Sequence, residues 1–232
     1  MSAEHPSVDL AALLPSIEAA VDAGSTRLNA GYQGAVHLLE VGGRHLIVKA
    51  ATGRGPLRYL RERLLRHEYR AYARLDGVSG IPHCHGLAGG RFLVLDYVAG
   101  PNARDARLAD RDGFYDRALA VIQAIHARGV AHADLKRRDN ILVSEGEQPL
   151  LLDFGMAVLR EPGFHPWNHW IFGLARRLDL NAWIKHKYRY REGEISAADG
   201  VYYRPIPFES GWRRLRRMMR AQWRALRQAL GQ

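Results

Sequence analysis

The feature that most constrains this chain is a pair of motifs on either side of a short predicted hairpin. The first reads HADLKRRDNILV and starts at His132, and the second reads LLLDFG and starts at Leu150. Apolar residues that end the first motif and open the second flank a turn-prone segment, which predicts two short antiparallel strands. Three polar side chains are thereby brought to the open end of the hairpin: Asp134, Asn140 and Asp153.

These three side chains suit a magnesium ion and a phosphoryl group. Carboxylate and amide oxygens are hard donors, and Mg²⁺ usually takes only one or two protein carboxylates alongside substrate phosphates. Lys136, two residues after Asp134, adds a positive charge for a phosphoryl oxygen. Phosphoryl transfer requires such a set, because the protein's task is mainly to position the reactants and neutralise charge.

The two motifs resemble the catalytic loop and the Asp-Phe-Gly motif of the protein-kinase-like superfamily. The resemblance implies that Asp134 orients or deprotonates an acceptor hydroxyl, that Asn140 and Asp153 hold Mg²⁺, and that Lys136 steadies the γ-phosphate of ATP. The loop is one residue longer than in the family, so Asp139 competes with Asn140 as the second metal ligand. We favour Asn140 because it directly precedes the strand, as in the family.

An upstream segment resembles the glycine-rich loop that covers the phosphates in kinases. Gly31, Gly34 and Val36 are in register with that pattern, although Asn29 replaces its first glycine. Glycine lets backbone N–H groups approach phosphate oxygens, which a Cβ would obstruct. Lys49 ends the following Ile-Val-Lys run, where the resemblance implies a lysine that pairs with the α- and β-phosphates.

A helix predicted after Lys49 offers that lysine an acidic partner. Residues 57–75 place leucines and tyrosines on one face at helical spacing and arginines on the other. Glu62 and Glu68 are both candidates. We favour Glu68, because its distance from the end of the helix matches that of the paired glutamate in the family. Glu62 can instead pair with Arg66, one turn later.

The segment from Arg91 to Gly100 is predicted to be a buried strand that runs into a polar link. It resembles the strand and hinge between the two lobes of a kinase. The resemblance implies that the carbonyl of Asp96 and the N–H of Val98 bond the adenine edge of ATP, while Leu95 guards the back of the pocket. We therefore expect the lobe boundary after Asp96.

Further predicted elements frame these motifs. Val8 to Ala23 has apolar residues at helical spacing, with Pro15 expected to break or kink the helix. Two strands around the turn Gly42-Gly43 predict a hairpin. Gly113 to Arg128 is predicted to be the helix before the catalytic loop, and His126 on this helix is expected to be a structural residue beside the core.

The region after Gly155 departs furthest from protein kinases. It lacks an Ala-Pro-Glu motif and has too few residues for the usual peptide-binding platform. An aromatic segment at 164–172 leads into two predicted helical stretches, Trp170 to Leu178 and Leu180 to Tyr190. A reduced C-lobe of this kind resembles the lipopolysaccharide kinase family and, next to it, the RIO-type atypical kinases.

The last predicted helix, Gly211 to Leu230, is basic and amphipathic. Its apolar residues step by three or four positions, and arginines occupy much of the remainder. Such a helix can either dock on the C-lobe or lie on an anionic membrane surface, where each basic residue contributes about 1 kcal/mol. The net charge of +10 also predicts attraction to polyanions in general.

Composition bounds the compartment in which we expect the chain. A single cysteine, Cys84, excludes an intramolecular disulfide and fits a reducing environment. The first nine residues lack the basic and apolar regions of a signal peptide, and no apolar run approaches the roughly 18 residues that a membrane span needs. We expect a cytoplasmic protein that can bind peripherally to the cytoplasmic face of the inner membrane.

The resemblance implies an α+β, bilobal protein-kinase-like fold with a small β-rich N-lobe and a reduced, mainly helical C-lobe. We expect an N-terminal helical extension at 1–27, the N-lobe at 28–96, the C-lobe at 97–210 and the basic helix at 211–232. The resemblance covers residues from about Leu28 to Phe172, and it weakens beyond Gly163.

The implied activity is an ATP- and Mg²⁺-dependent kinase that phosphorylates a hydroxyl, which we expect to belong to a sugar of the lipopolysaccharide core or a similar lipid-linked glycan. The alternatives are a RIO-like protein serine/threonine kinase, for which ribosome or nucleic-acid contact would fit the basic tail, and a pseudokinase scaffold that binds nucleotide. A phosphotransferase for cationic drugs is disfavoured, because the C-lobe is rich in Arg and Lys.

Overall fold

The computed structural model describes residues 8–24, 27–31 and 34–204 and has a mixed α+β architecture. The predicted basic helix at 211–230 and the two residues between Gly31 and Gly34 lie outside the described residues. The α-helices and strands follow in chain order as α1 (Leu10–Ala23), β1 (Arg27–Gly31), β2 (Gly34–Val41), β3 (Arg44–Ala50), α2 (Gly55–Arg74), β4 (Cys84–Ala88), β5 (Phe92–Asp96), α3 (Arg111–Ala127), β6 (Val130–Ala131), β7 (Ile141–Ser144), β8 (Gln148–Leu151), β9 (Val158–Leu159), α4 (Pro166–Lys187) and α5 (Ala197–Gly200).

The main sheet is antiparallel, with strand order β1-β2-β3-β5-β4. The predicted hairpin is confirmed as β2–β3: Gly42 and Gly43 both have positive φ, 58° and 76°, as the tight turns of two-residue hairpins require. In this register Lys49 of β3 is paired with Val36 of β2 and with Leu93 of β5. Because paired residues on neighbouring strands point to the same face, these three side chains share one face of the sheet.

Helix α1 covers the opposite face of the sheet. Asp9 caps its N-terminus by accepting hydrogen bonds from two backbone amides, and Leu13 and Ile17 are buried with Leu46 and Val48 of β3. The helix continues through Pro15, so the break expected there is absent. Tertiary packing explains this result, because buried side chains on either side of the proline hold both halves of the helix on the same surface.

A second and larger core lies between the main sheet and helices α2, α3 and α4. Its fully buried aromatic side chains come from four separate parts of the chain: Tyr72, the pair Phe114 and Tyr115, Phe154 and Trp183. Two small antiparallel pairs, β6–β9 and β7–β8, are held in this core. The β7–β8 pair is the hairpin predicted from the two motifs, which is therefore confirmed.

Helix α4 corrects the prediction for the segment after the aromatic residues. The two expected helices at 170–178 and 180–190 form one helix, which begins at Pro166 and ends at Lys187. Asp179, at which the prediction divided the segment, is fully buried inside the helix. Within the described ranges, no helix combines the length and apolarity needed to cross a bilayer.

Candidate active site

Lys49 is the centre of a charged cluster built by three elements. Its Nζ lies 2.5 Å from Oε1 of Glu68 on α2 and 3.1 Å from Oδ1 of Asp153, which directly follows the β7–β8 hairpin. Glu68 is completely buried, whereas the Asp153 side chain is 41% exposed. The buried Glu68 therefore fixes the ammonium group of Lys49 from inside the protein, whereas the Asp153 carboxylate remains accessible to solvent.

Electrostatics keep this lysine charged. Burial alone would lower the pKa of Lys49, but the neighbouring carboxylates of Glu68 and Asp153 outweigh that effect and raise it. The charge of Lys49 is also the main reason why the pKa of Asp153 lies below its ordinary value. At neutral pH the cluster therefore presents an ammonium group beside an ionised, partly exposed carboxylate.

The residue that follows Asp153 fixes its position. The ring of Phe154 is fully buried and packs against Tyr72 of α2 and against His132, with ring centroids 5.1 and 4.7 Å apart. Asp153 itself has a φ of +64°, a left-handed conformation that is uncommon for a residue with a side chain. The buried phenyl ring of Phe154 and the ion pair with Lys49 together hold Asp153 in this backbone conformation.

Asp134 and Asn140 are joined to each other at the open end of the hairpin that Asp153 follows. Both are buried, and the Nδ2 of Asn140 donates a hydrogen bond to the Asp134 carbonyl at 3.1 Å. The Asn140 carbonyl in turn accepts from the backbone N–H of Leu152, which extends the hairpin by one more pair. Asn140 is consequently level with Leu152, one residue before Asp153.

A buried carboxylate from α4 holds the loop that carries Asp134. Oδ1 of Asp179 accepts from the N–H of Ala133, and Oδ2 accepts from the N–H of His132, both at 2.8 Å. Oδ2 also accepts from Nε2 of His126 at 3.0 Å. Ala133 has a φ of +60°, and the bonds to Asp179 hold this strained backbone immediately before Asp134.

Two histidines connect the same loop to its surroundings. His132 donates from Nε2 to the Leu152 carbonyl at 2.8 Å, and its Nδ1 accepts from the N–H of Asp134, which assigns the neutral tautomer with the proton on Nε2. His186 of α4 donates from Nε2 to the Leu135 carbonyl at 2.8 Å. Burial lowers the pKa of His186 to about 4, so this ring is neutral under ordinary conditions.

All the predicted nucleotide-binding residues except Val98 lie on the sheet. Gly31 and Gly34 are paired where β1 and β2 meet, and Val36 is level with Lys49. Leu95 is buried in the larger core, and Asp96 ends β5. The other residues singled out from the sequence are Val98, which is partly buried two residues beyond β5, and Lys136, which is exposed in the loop after Asp134.

The members of the two pairs of alternatives left open by the sequence differ in their contacts. Glu68 contacts Lys49, while the carboxylate of Glu62 binds Arg58 and Arg66 on the surface of α2. Asp139 forms an ion pair of 3.1 Å with Arg104, whereas Asn140 lies opposite Leu152, one residue before Asp153. The geometry thus favours Glu68 as the partner of Lys49 and Asn140 as the residue beside Asp153.

The groups beside Lys49 fit a hard divalent cation such as Mg²⁺. The side-chain nitrogen of Asn140 donates to the Asp134 carbonyl, so its side-chain oxygen is left as a metal ligand. Asp153 adds a partly exposed carboxylate. Within the described residues, no three or more His, Cys, Asp or Glu side chains form a metal-binding group. The fit therefore concerns a site of two protein ligands, of the kind that Mg²⁺ shares with substrate phosphates and water.

Comparison with known proteins adds no family to these observations. No family model matches the chain, and no curated protein matches it significantly.

Asp179 is the residue of this site that the sequence reasoning missed. The buried residues of α4 recur at helical spacing, and Asp179 lies within that stripe, as do Phe172, Ala175, Ala182 and His186. A continuous helix would have revealed a carboxylate on a buried face, which needs partners. Two helices separated at Asp179 would leave this carboxylate in a loop, where burial and a bond to His126 are not expected.

Proposed function

We propose that the chain is a phosphotransferase of the protein-kinase-like superfamily, which moves the γ-phosphoryl group of ATP to a hydroxyl acceptor. The observation that carries this proposal is the double ion pair of Lys49, with Glu68 at 2.5 Å and Asp153 at 3.1 Å. These residues are 19 and 104 positions away from Lys49 in sequence. A long-range cluster of one lysine and two carboxylates beside a loop with Asp134 and Asn140 is what ATP-dependent transfer uses.

The proposal assigns a bilobal kinase architecture to the chain. The main sheet with α1 and α2 corresponds to an N-lobe, and α3, α4 and the two small strand pairs correspond to a C-lobe. The proposed cleft lies between Lys49 of the sheet and the hairpin end at Asn140 and Asp153. ATP would lie there with its phosphates near Gly31 and Gly34 and its base near the end of β5.

The chain's own groups have separate roles in this proposal. Lys49, fixed by Glu68, neutralises charge on the α- and β-phosphates. Asp134 orients the acceptor hydroxyl and accepts its proton as the oxygen attacks the γ-phosphorus, while the bond from the γ-phosphorus to the β-phosphate oxygen breaks and ADP leaves. Lys136 offers positive charge to the γ-phosphate. Asn140 and Asp153 would hold Mg²⁺, which when bound neutralises charge on the phosphate oxygens.

For the acceptor, we propose a sugar hydroxyl of a lipid-linked glycan such as the lipopolysaccharide core. Beyond α4, the helices of the described part of the chain are a 3₁₀ turn at Glu192–Glu194 and the four-residue α5, so the described residues there supply no long helix for a peptide-binding platform. The sequence after the described residues is also strongly basic, which suits the phosphates of such a glycan.

The test is phosphoryl transfer from γ-labelled ATP by the purified chain with Mg²⁺. Lipopolysaccharide core oligosaccharide and a mixture of cellular proteins serve as separate acceptors, and Asp134→Asn is compared with wild type. We expect label on the oligosaccharide, reduced at least about a hundredfold by Asp134→Asn, because an amide cannot accept the proton. The exposed Asp116→Asn is the matched control and should retain activity.

Each failure has a distinct meaning. Label on protein Ser or Thr alone would reject the sugar acceptor but keep the kinase. A chain that binds ATP but transfers nothing would be a scaffold. Equal activity of wild type and Asp134→Asn would reject the assignment of Asp134.

A second experiment tests the metal ligands. Asn140→Ala should weaken transfer and raise the Mg²⁺ concentration needed for half-maximal rate, because one of two protein ligands is lost. Asp139→Ala should behave like wild type, since Asp139 is paired with Arg104. The reverse result would transfer the ligand assignment to Asp139.

A further inference from the structure

An apolar surface lies exposed at the start of α4, outside the cluster around Lys49. Phe164 is 90% exposed, Trp167 74% and Trp170 60%, and Ile171 is also exposed. The two indole rings contact each other edge to face, with centroids 5.5 Å apart. Because Trp167, Trp170 and Ile171 are at positions i, i+3 and i+4, they form one stripe on the first turns of the helix. We call these four residues the aromatic patch.

The aromatic patch is mounted on a segment with well-defined anchors. Oδ1 of Asn168 accepts from the N–H of Glu161 at 2.8 Å, and its Nδ2 donates to the Leu159 carbonyl at 2.9 Å. His169 donates from Nε2 to the Glu161 carbonyl at 2.9 Å. Asn168 and His169, which lie between the two exposed tryptophans in the chain, thus attach the segment to the last residue of β9 and to Glu161 just after it. The exposure of the aromatic rings is therefore a fixed feature of the fold.

Basic side chains line a cavity formed by chain segments that adjoin the aromatic patch in sequence. The cavity has a volume of about 530 Å³, and its lining includes Gly163 and His169, which directly precede Phe164 and Trp170. Arg74, Arg128 and Arg160 also line it and form what we call the basic rim, with Glu161 as the acidic side chain. The guanidinium of Arg74 donates to the Arg160 carbonyl at 2.6 Å, which fixes one wall. Arg128 and Arg160 are exposed and have no ion-pair partner among the residues that the structure describes. Three arginines against one glutamate make this rim positive.

We propose that the aromatic patch and its basic rim dock the protein on an anionic phospholipid surface. Tryptophan and phenylalanine rings insert favourably at the boundary of headgroups and acyl chains, and arginines beside them bind lipid phosphates. This surface is distinct from the predicted helix at 211–230. The inference does not rest on the proposed kinase activity.

Charge and shape favour a lipid surface over other occupants. Two copies of a chain with net charge +10 repel each other, and the rim would bring like charges together in a symmetric contact. A side chain as exposed as Phe164 has few protein neighbours, so it does not form the desolvated pocket typical of protein hot spots. A ring that protrudes in this way can enter a bilayer interface without a preformed pocket.

The test is co-sedimentation of the full chain with phosphatidylcholine vesicles that contain or lack phosphatidylglycerol. We expect binding that requires the anionic lipid and weakens with salt. Replacing both exposed indoles, Trp167→Ala with Trp170→Ala, should weaken binding at least about tenfold, because their insertion is lost. Tyr59→Ala is the matched control, since Tyr59 is an aromatic residue of similar exposure, 64%, on α2, and it should leave binding unchanged.

A second pair of variants tests the rim. Arg128→Gln with Arg160→Gln should weaken binding and reduce its salt dependence, whereas two exposed arginines of α2, Arg63→Gln with Arg70→Gln, should have a smaller effect. Circular dichroism checks that every variant is folded. Quenching of tryptophan fluorescence by brominated lipid should occur in the wild type and decrease strongly in the double tryptophan variant.

Three results would overturn the inference. One is vesicle binding that the double tryptophan variant retains in full, which would assign it to another segment such as 211–230. Another is equal binding to neutral and anionic vesicles. The third is an absence of vesicle binding, including the case in which the aromatic patch mediates self-association or captures an acidic protein. None of these results depends on phosphoryl transfer, so the proposed function is tested separately.

Discussion

Replacing Asp179 by asparagine should destabilise the protein far more than its small change in volume suggests. The carboxylate accepts three hydrogen bonds, from the N–H groups of His132 and Ala133 and from Nε2 of His126. An asparagine has one acceptor oxygen, so in either orientation its NH₂ group faces a buried backbone N–H that has lost its partner. The new NH₂ group and the backbone N–H that it faces are then both buried without an acceptor. Each such group costs about 1–3 kcal/mol, so the loss in the free energy of unfolding is roughly 3 kcal/mol in total.

Thermal and urea unfolding measure this loss. For a chain of this size, about 3 kcal/mol corresponds to a decrease in Tm of roughly 6–12 °C. Asp116→Asn is the matched control because the Asp116 carboxylate is 62% exposed, and its partner Lys187 keeps a second carboxylate, that of Asp199, at 2.7 Å. An exposed ion pair is worth about 1 kcal/mol or less, so the control should change Tm by only a few degrees.

The loop before Asp134 gives this prediction a second measurement. Ala133 has a positive φ that the bond to Asp179 helps to hold, so Asp179→Asn should also lower the rate of any reaction that depends on Asp134. The prediction is refuted if the free energy of unfolding of Asp179→Asn lies within about 0.5 kcal/mol of the wild-type value, the range typical of surface substitutions without special contacts. It is also refuted if Asp116→Asn proves equally harmful.

Three further changes have equally specific outcomes. Lys49→Met should reduce ATP-dependent transfer at least about a hundredfold, because charge neutralisation at the phosphates is lost; undiminished transfer would exclude Lys49 from the site. The pKa of His186 is about 4 in the folded chain, below the unfolded value of 6.5. Its contribution to the free energy of unfolding, up to roughly 3 kcal/mol, is therefore present above pH 6.5 and is lost as the pH falls toward 4. The stability difference between wild type and His186→Gln, followed by urea unfolding, should therefore shrink over that interval, and a constant difference would contradict the assignment. Gly100→Ala would place a Cβ 2.1 Å from the Val143 carbonyl oxygen and should lower Tm clearly more than Gly90→Ala, where the added methyl meets no atom within 4 Å; equal effects would show that the contact is unimportant.

Local patterns in the sequence were sufficient for the hairpins and for the long helix α2. Adjacent glycines at 42 and 43 specify a tight turn, and helix α2 was predicted within two residues of its observed limits, Gly55 and Arg74. The β7–β8 hairpin followed from two apolar runs around a polar segment. Each of these signals depends on residues that are close together in the chain, so each could be read without the rest of the fold.

The errors occurred where a distant part of the fold decides the local structure. Pro15 lacks an N–H and would break an isolated helix, but the burial of Leu13 and Ile17 against the sheet keeps α1 continuous. Asp179 lowers helix propensity locally, but its partners are the amides of a loop 46 and 47 residues earlier in the chain. Such partners are unknown until the tertiary structure brings them together.

The candidate site depends on the same kind of distant contact. Ala133 and Asp153 both have positive φ, and an isolated peptide would avoid this conformation at either residue. Asp179 of α4 holds the first, while Lys49 of β3 and the buried ring of Phe154 hold the second. Strain of this kind persists only where surrounding contacts over-determine it. The motifs thus identify the candidate site residues, but α4 and β3 impose the geometry of the site. Substitutions at Asp179 or Lys49 should therefore disturb the site even though neither lies within the two motifs.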